Sequence, residues 1–315
     1  MTEKKRNKSK KPMKLWLKIT LITVLVIALG GAGFVYSIYN DAKQTVDGKI
    51  HQQVTTIDTT LTKKKIKDEK PLNILLLGVD QRGDDAGRSD ALMVLSLDPQ
   101  NDSMQLVSIP RDTRTEIVGR GNQDKINHAY AFGGVDMTID TVENLLEIDL
   151  DYYVSMNMEG LSDMVNAVGG ITVDNQLDWV DTGYYEEGFH YASGTLELNG
   201  PQTMGYVRMR YQDPNGDFGR TARQRQVIKA IVDEGASIGS VNKIGDMIDV
   251  LGDNVVTNMD FSDMQNLLLN YGNTRNNMVS YMMQGQGTKI DGIYYLVVSD
   301  DEIQKVHDMI KKVKS

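Results

Sequence analysis

The sequence predicts an α/β protein: a single α/β/α sandwich domain, residues 71–315, behind an N-terminal transmembrane helix. Three observations lead there. Short apolar runs of strand length alternate with amphipathic stretches at helical spacing through residues 71–315, the pattern of strands interleaved with covering helices. No linker-like composition interrupts that region, so a second domain is not expected. Ahead of it, Leu15 to Tyr36 is predominantly apolar with Lys18 its only charge, long enough at ~1.5 Å per residue to cross a hydrocarbon core of ~30 Å.

The chain opens on a basic tail, residues 1–14. Basic flanks stay on the cytoplasmic side of a membrane, so the expected orientation is N-terminus inside and residues 37–315 outside, on the cell membrane. A cleaved signal peptide is the competing reading. Against it, the apolar run is longer than a signal h-region, and bulky Phe34, Val35 and Tyr36 follow Gly33 where a small-residue cleavage site would stand. Residues 37–70 are polar, carry Lys63, Lys64, Lys65 and Lys67, and end at Pro71; they read as an extracellular stalk.

Leu72 to Val79 is a near-continuous apolar run, as in a strand buried on both faces. Ala91–Leu97 and Met104–Ile109 read as a hairpin around Asp98-Pro99-Gln100-Asn101-Asp102. Asp136–Glu147 sets Ile139, Val142, Leu145 and Leu146 on one helical face, and Asp151–Met156 follows as a strand. A helix from Met158 stops at Gly169-Gly170, and Ile171–Asp174 is a further strand. Asn199-Gly200-Pro201 opens a helix toward Arg208, and Arg220–Glu234 is a helix with Val227, Ile228, Ile231 and Val232 inward. Gly292–Val298 and Asp300–Val313 close the chain as strand and helix.

Composition removes several function classes. A net charge of −9 argues against a nucleic-acid partner. The absence of cysteine excludes disulfide scaffolds, thiol nucleophiles, Cys-ligated zinc and Fe–S clusters, and in an extracellular chain it suits a Gram-positive surface. Four histidines without an HExxH pair argue against an imidazole-rich metal site; His128 could act as a base, but the sequence shows no partner for it.

Residues 71–315 carry 19 basic and 37 acidic residues, so clustered cations there need a cause. Ten of the eleven arginines fall in two blocks, Arg82, Arg88, Arg111, Arg114 and Arg120, then Arg208, Arg210, Arg220, Arg223 and Arg225. Arginine is the fixed cationic fork suited to phosphate, and two blocks that converge would hold a polyanionic group from two sides. Asp80 and Asp90 flank the loop bearing Arg88 at strand ends, where open α/β sheets bind ligands, and such a carboxylate pair suits Mg²⁺. Arg220, Arg223 and Gln224 are expected together in the first turn of a helix, whose N-terminus favours phosphate. Each arginine taken singly could instead pair with a surface acid such as Asp112, Asp213 or Asp217.

The stretches GVDQRGDDAGRSDALMVLSLD (78–98), VSIPRDT (107–113), DKINHAYAFGG (124–134), VNAVGGITVD (165–174) and GYVRMRYQDPNGDFGRTARQRQVI (205–228), behind a basic tail and one span, resemble the LytR-CpsA-Psr family. The resemblance implies an extracellular phosphotransferase that moves a glycopolymer, such as wall teichoic acid, from undecaprenyl diphosphate to peptidoglycan through a phosphodiester. It also implies an apolar cavity for the prenyl chain and a Mg²⁺ (or Mn²⁺) cofactor. By motif, Asp80 and Asp90 correspond to the metal-associated aspartates, and Arg88, Arg111, Lys125, Arg208, Arg210, Arg220 and Gln224 to the diphosphate-binding set; Arg223 is grouped with them from its place in the helix. Arg111 and Arg220 are expected to carry charge stabilisation, with Asp80 assisting deprotonation of the acceptor. Two other functions stay open at this point, a non-catalytic surface sensor or scaffold that binds lipid diphosphate or glycan, and a prenyl-diphosphate hydrolase.

Overall fold

The computed structural model describes residues 37, 39–80, 87–183, 186–235, 252 and 254–312. The basic tail and the expected transmembrane helix at 15–36 lie outside them, and among the described residues no helix is long and apolar enough to cross a membrane.

Helix α1 (Thr59–Lys67), capped by the Asp58 carboxylate, precedes the sheet. Strands β1 (Leu72–Asp80), β2 (Arg88–Asp98) and β3 (Ser103–Ile109) form an antiparallel meander. At its turn, Asp98 Oδ1 accepts the amides of Gln100 (2.9 Å) and Asn101 (3.3 Å), so the expected hairpin has a local cause. The small hairpin of β4 (Arg114–Ile117) and β5 (Asn122–Lys125) leads into α2 (His128–Leu146). Strand β6 (Tyr152–Met156) then runs parallel to β1 and is followed by α3 (Met158–Val168).

Four short strands come next: β7 (Ile171–Asn175), β8 (Trp179–Val180), β9 (His190–Tyr191) and β10 (Gly194–Leu198), with β7 paired to β10 and β8 to β9. Helices α4 (Gly200–Arg208) and α5 (Gly216–Gly235), strand β11 (Val255–Thr257) and helix α6 (Phe261–Asn270) lead to β12 (Asn277–Met282). The hairpin of β13 (Gln286–Ile290) and β14 (Ile293–Val297) and helix α7 (Asp300–Lys312) complete the described chain.

The central sheet is mixed and six-stranded, in the order β11-β6-β1-β2-β3-β12. Its strands bury side chains on both faces, which makes three layers. Leu75, Leu77, Val94 and Val107 pack on one side with Ile139 and Val142 of α2 and Val306 and Ile310 of α7. Ile74, Met93, Leu95 and Leu106 pack on the other with Ile66 of α1, Ile228 and Val232 of α5 and Met264 of α6. A satellite core joins α3, α4 and α5 around Trp179, whose ring stacks on Tyr191 at 4.5 Å.

Four expectations are corrected. The segment read as a stalk is built into the domain: Val46 and Ile50 pack on Val255 and Phe261, Val54 and Ile57 join the main core, and Gln52 N donates to Thr257 O (2.7 Å). Val46, Ile50, Val54 and Ile57 recur at three- and four-residue spacing, a signal of a buried face that the polar, lysine-rich composition of the segment masked. The strands at 171–175 and 293–297 lie in two-stranded ribbons outside the central sheet. The helix expected at 136–147 is present, but α2 reaches back to His128: a further helical stretch precedes Gly133 and Gly134, whose non-helical backbone kinks the helix between the two parts. Helix α5 begins at Gly216, which takes Arg220 out of the first turn.

Candidate active site

The site lies where β1 ends, β2 begins and β3 ends. Asp80 closes β1 opposite Arg88 in the antiparallel register. Its carboxylate and residues 81–86 lie outside the described part. Between the pairs Gly78↔Ala91 and Val79↔Ser89 the register slips by one residue, so Asp90 is the extra residue of a β-bulge. Bulges re-aim side chains at such positions, and Asp90 is turned to Arg111, just past β3, whose Nη1 donates to Asp90 Oδ1 (2.6 Å). Asp90 thus lies within the strand and pairs with Arg111.

The two arginine blocks converge through Asp217 in the first turn of α5. Asp217 Oδ2 is 4.0 Å from Arg111 Nε, and its Oδ1 is 2.5 Å from Arg220 Nη2. Asp112 extends the cluster, with Oδ1 2.6 Å from Lys125 Nζ and Oδ2 3.9 Å from Arg111 Nε. Burial lowers the Arg220 pKa; neighbouring Arg111 and Arg210 add to that, and Asp217 and Asp90 only partly oppose it. Burial acts the same way on Arg111, but its hydrogen bond and charge pairing with Asp90, with Asp217 and Asp112 behind, raise it overall. Arg220 Nε is buried without a hydrogen-bond partner. A buried cation with an unused donor is a costly arrangement that an anionic ligand would satisfy.

Arg208 ends α4, and Met209 is extended (φ −54°, ψ 129°), which carries Arg210 out to an exposed position within electrostatic reach of Arg220. Arg88 is exposed at the start of β2. Gln224, one turn after Arg220 on α5, lines an apolar cavity of about 110 Å³. Leu76, Gly78 and Ala91 wall this cavity from the sheet, Met156 and Leu161 from β6 and α3, and Val227 and Ile228 from α5. Gly78 is required there, since a Cβ on it would sit 3.0 Å from the Ala91 Cβ. The cavity wall therefore includes residues two before Asp80 and one after Asp90, placing an apolar cavity beside the cationic cluster.

Arg223 is elsewhere, which corrects its grouping with the phosphate ligands. Its Nη1 donates to Asp213 Oδ2 (2.5 Å), its Nε to Tyr206 O (2.9 Å) and its Nη2 to Met209 O, and it is 5% exposed. Residues three apart on a helix differ by only about 60° in direction, so it is the bonds to Asp213 and to the Tyr206 and Met209 carbonyls that draw Arg223 away from Arg220 and pin the α4–α5 loop. Gly219 lies under the Asp213 carboxylate, where a Cβ would collide with it. Arg225 turns toward β3, with Nη1 3.3 Å from Ser108 Oγ.

Sequence reasoning had Asp112 and Asp217 only as ordinary surface partners. Both sit at the centre of the cluster, and their positions next to Arg111 and three before Arg220 were the available signal. For a metal, no group of three or more His, Cys, Asp or Glu is gathered among the described residues. Asp90 Oδ2 has no hydrogen-bond or ion-pair partner there, since Arg111 takes only Oδ1. One or two carboxylates completed by phosphate oxygens and water is the donor set Mg²⁺ uses, and Asp90 Oδ2 is a donor of that kind among the described residues.

The model of the LytR_cpsA_psr family matches residues 33–312. The chain is 41% identical over 312 residues to a polyisoprenyl-teichoic acid–peptidoglycan teichoic acid transferase, TagU, of Bacillus licheniformis, covering 99% of each chain. The TagU of Bacillus subtilis strain 168 is 39% identical over 308 residues, covering 98% of each. Among solved structures, B. subtilis TagU superposes with a TM-score of 0.63 at 39% identity, covering 78% of this chain and 97% of that one. TagT bound to LIIa-WTA superposes with a TM-score of 0.70 at 28% identity, covering 84% and 96%. With a mixed α/β fold, an apolar cavity beside converging arginines and these likenesses along nearly its whole length, the chain belongs to the LytR-CpsA-Psr family.

Proposed function

We propose that this protein transfers a teichoic-acid-type anionic glycopolymer from a polyprenyl (undecaprenyl) diphosphate carrier to peptidoglycan, forming a phosphodiester. The observation that carries this reading is the apolar cavity opening beside the arginine cluster. Together they match an amphiphile with a hydrocarbon tail and a diphosphate head. The names of the relatives supply the polymer and the acceptor.

In this mechanism the first isoprenoid units enter between β1, β6, α3 and α5, and Gln224 marks the seam between tail and head. Arg88, Arg111, Lys125, Arg208, Arg210 and Arg220 surround the diphosphate. Phosphoryl transfer needs little covalent help and much charge stabilisation, and Arg111 and Arg220, held by Asp90 and Asp217, are pre-oriented for it. Asp80 and Asp90 would hold Mg²⁺ or Mn²⁺, which supplies further neutralisation of phosphate charge when bound. The segment 15–36 anchors the catalytic domain on the outer face of the membrane where a lipid-linked donor resides.

The test uses the full chain in lipid vesicles, a synthetic prenyl-diphosphate glycolipid, a glycan oligomer as acceptor, added or chelated Mg²⁺, and Asp80→Ala. Metal-dependent phosphodiester product, lost in the variant, is expected. Tight donor binding without product would instead favour a surface sensor or scaffold, and free sugar phosphate alone a hydrolase.

A further inference from the structure

Beside the arginine cluster stands a side-chain pair that the roles above leave unused. His128, the first residue of α2, has Nδ1 2.9 Å from Asp124 Oδ2. Asp124 is itself held in place: Oδ1 accepts the Lys125 amide (2.8 Å) and lies 3.4 Å from the Tyr295 hydroxyl. With a carboxylate accepting at Nδ1, the other ring nitrogen carries the lone pair. That Nε2 has no partner among the described residues, and the His128 side chain is 26% exposed. A base hydrogen-bonded to a fixed carboxylate, with its second nitrogen open, is the arrangement by which enzymes orient an imidazole for proton transfer.

The pair belongs to the same locality as the phosphate site. Asn127 N donates to Arg111 O (3.3 Å) and Ile126 N to Thr113 O (2.8 Å), so the turn carrying His128 is stitched to the end of β3. Lys125 continues the connection through its side chain to Asp112. Among the described residues the groups facing the imidazole are Asp124 and the Phe132 ring, edge-on at 5.8 Å. Behind them stand Arg120, 3.8 Å over Phe132, and Arg114 and Lys125, 5.9 and 6.0 Å over Tyr295. Burial pushes the Asp124 carboxyl up, but the His128 hydrogen bond and the Lys125 amide outweigh it and hold it below the usual range, so Asp124 stays anionic beside the ring.

We propose that His128, positioned by Asp124, is the general base that accepts the proton of the acceptor hydroxyl, in place of Asp80. The proposal rests on the transfer reading above and supplies its proton acceptor. Asp90 is already engaged by Arg111 and, with Asp80, assigned to the metal; carboxylates so occupied are weak bases. As the acceptor oxygen forms its bond to the donor phosphorus, its proton passes to His128 Nε2. The bridging P–O bond breaks with its electron pair on the leaving polyprenyl phosphate, and His128 returns the proton to solvent after the lipid departs.

The test compares full-length wild type, His128→Gln, His128→Ala, Asp124→Asn and Asp80→Asn in vesicles, reading single-turnover transfer at saturating donor together with donor Kd and unfolding midpoint. Wild type is expected to form product at a rate that falls along an acid limb as the base is protonated. His128→Gln should lose about 10²-fold or more in rate, lose that limb, and keep donor Kd within about twofold, because general-base loss spares ground-state binding. Added imidazole should restore part of the rate to His128→Ala, and Asp124→Asn should slow transfer while displacing the limb. A His128→Gln rate within about threefold of wild type with an unchanged pH profile overturns the proposal, as does an acid limb abolished by Asp80→Asn and kept in His128→Gln. Wild type without product overturns the transfer reading itself and is distinguished by that control.

Discussion

Replacing Arg223 by Met, which keeps the length and removes the charge, separates a structural arginine from a phosphate ligand within one helix. In the native fold the guanidinium satisfies Asp213, itself 7% exposed, and the carbonyls of Tyr206 and Met209. Removing one member of a buried ion pair costs about 3–5 kcal/mol, because the remaining charge stays buried without compensation. With a urea slope of roughly 3 kcal/mol per M for a domain of this size, the midpoint should fall by about 1–1.7 M. Trp179 reports it directly, since its ring lies 5.7 Å from Arg223 Cζ and it is one of two tryptophans in the chain. The assay is urea unfolding of the full chain in detergent followed by tryptophan fluorescence, paired with donor affinity measured well below the transition. An unchanged midpoint with lost donor binding would refute the reasoning and return Arg223 to the diphosphate set.

Arg111→Ala should reduce transfer by about 10²–10³, comparable to losing one oxyanion donor, and a near-normal rate would contradict the assigned site. Leu161→Trp, which fills the cavity beside Gln224, should weaken a long-chain prenyl donor more than a short-chain one; equal effects on both would remove the cavity from the binding mode. Asp260 caps α6 and pairs with Lys63 of α1 at 2.8 Å; against burial, which raises its pKa, these bonds hold it well below the usual carboxylate range. A carboxyl depressed in the folded state stabilises above its unfolded pKa of about 4 and loses that contribution as pH falls through the folded value. The difference in unfolding free energy between wild type and Asp260→Ala, about 1 kcal/mol for the cap alone, should therefore hold at pH 5–7 and shrink below pH 4; a pH-independent difference would sink the linkage.

Local features were read correctly wherever the cause was local. Leu72–Val79 is a largely buried strand, the Asp98–Asp102 turn closes the expected hairpin, and Asn199 with Gln202 forms the capping box that starts α4. The clustering of arginines in an acidic domain pointed to an anion, and the structure brings both blocks to Asp217. The partner that makes His128 a candidate base is four residues upstream, at a spacing normal within a helix, yet Asp124 is in a strand and reaches the ring across a turn. Residues 37–70 looked like a stalk because their composition is polar and lysine-rich; only the domain they pack against turns Val46, Ile50, Val54 and Ile57 into core.

By itself the sequence determined the α/β class, the order of most elements, the charge segregation and the family likeness, all of which depend on residue type and spacing along the chain. Tertiary structure decided which charges face a ligand. Arg220 and Arg223 have the same chemistry three residues apart, but α5 starts at Gly216 and packs on α4, so one guanidinium keeps an unused donor and the other is consumed by Asp213 and two carbonyls. Residues on one helix face still part company according to the partners that meet them, which are fixed by packing distant in sequence, and the bulge at Asp90 and the cavity under Gln224 arise from the same non-local packing.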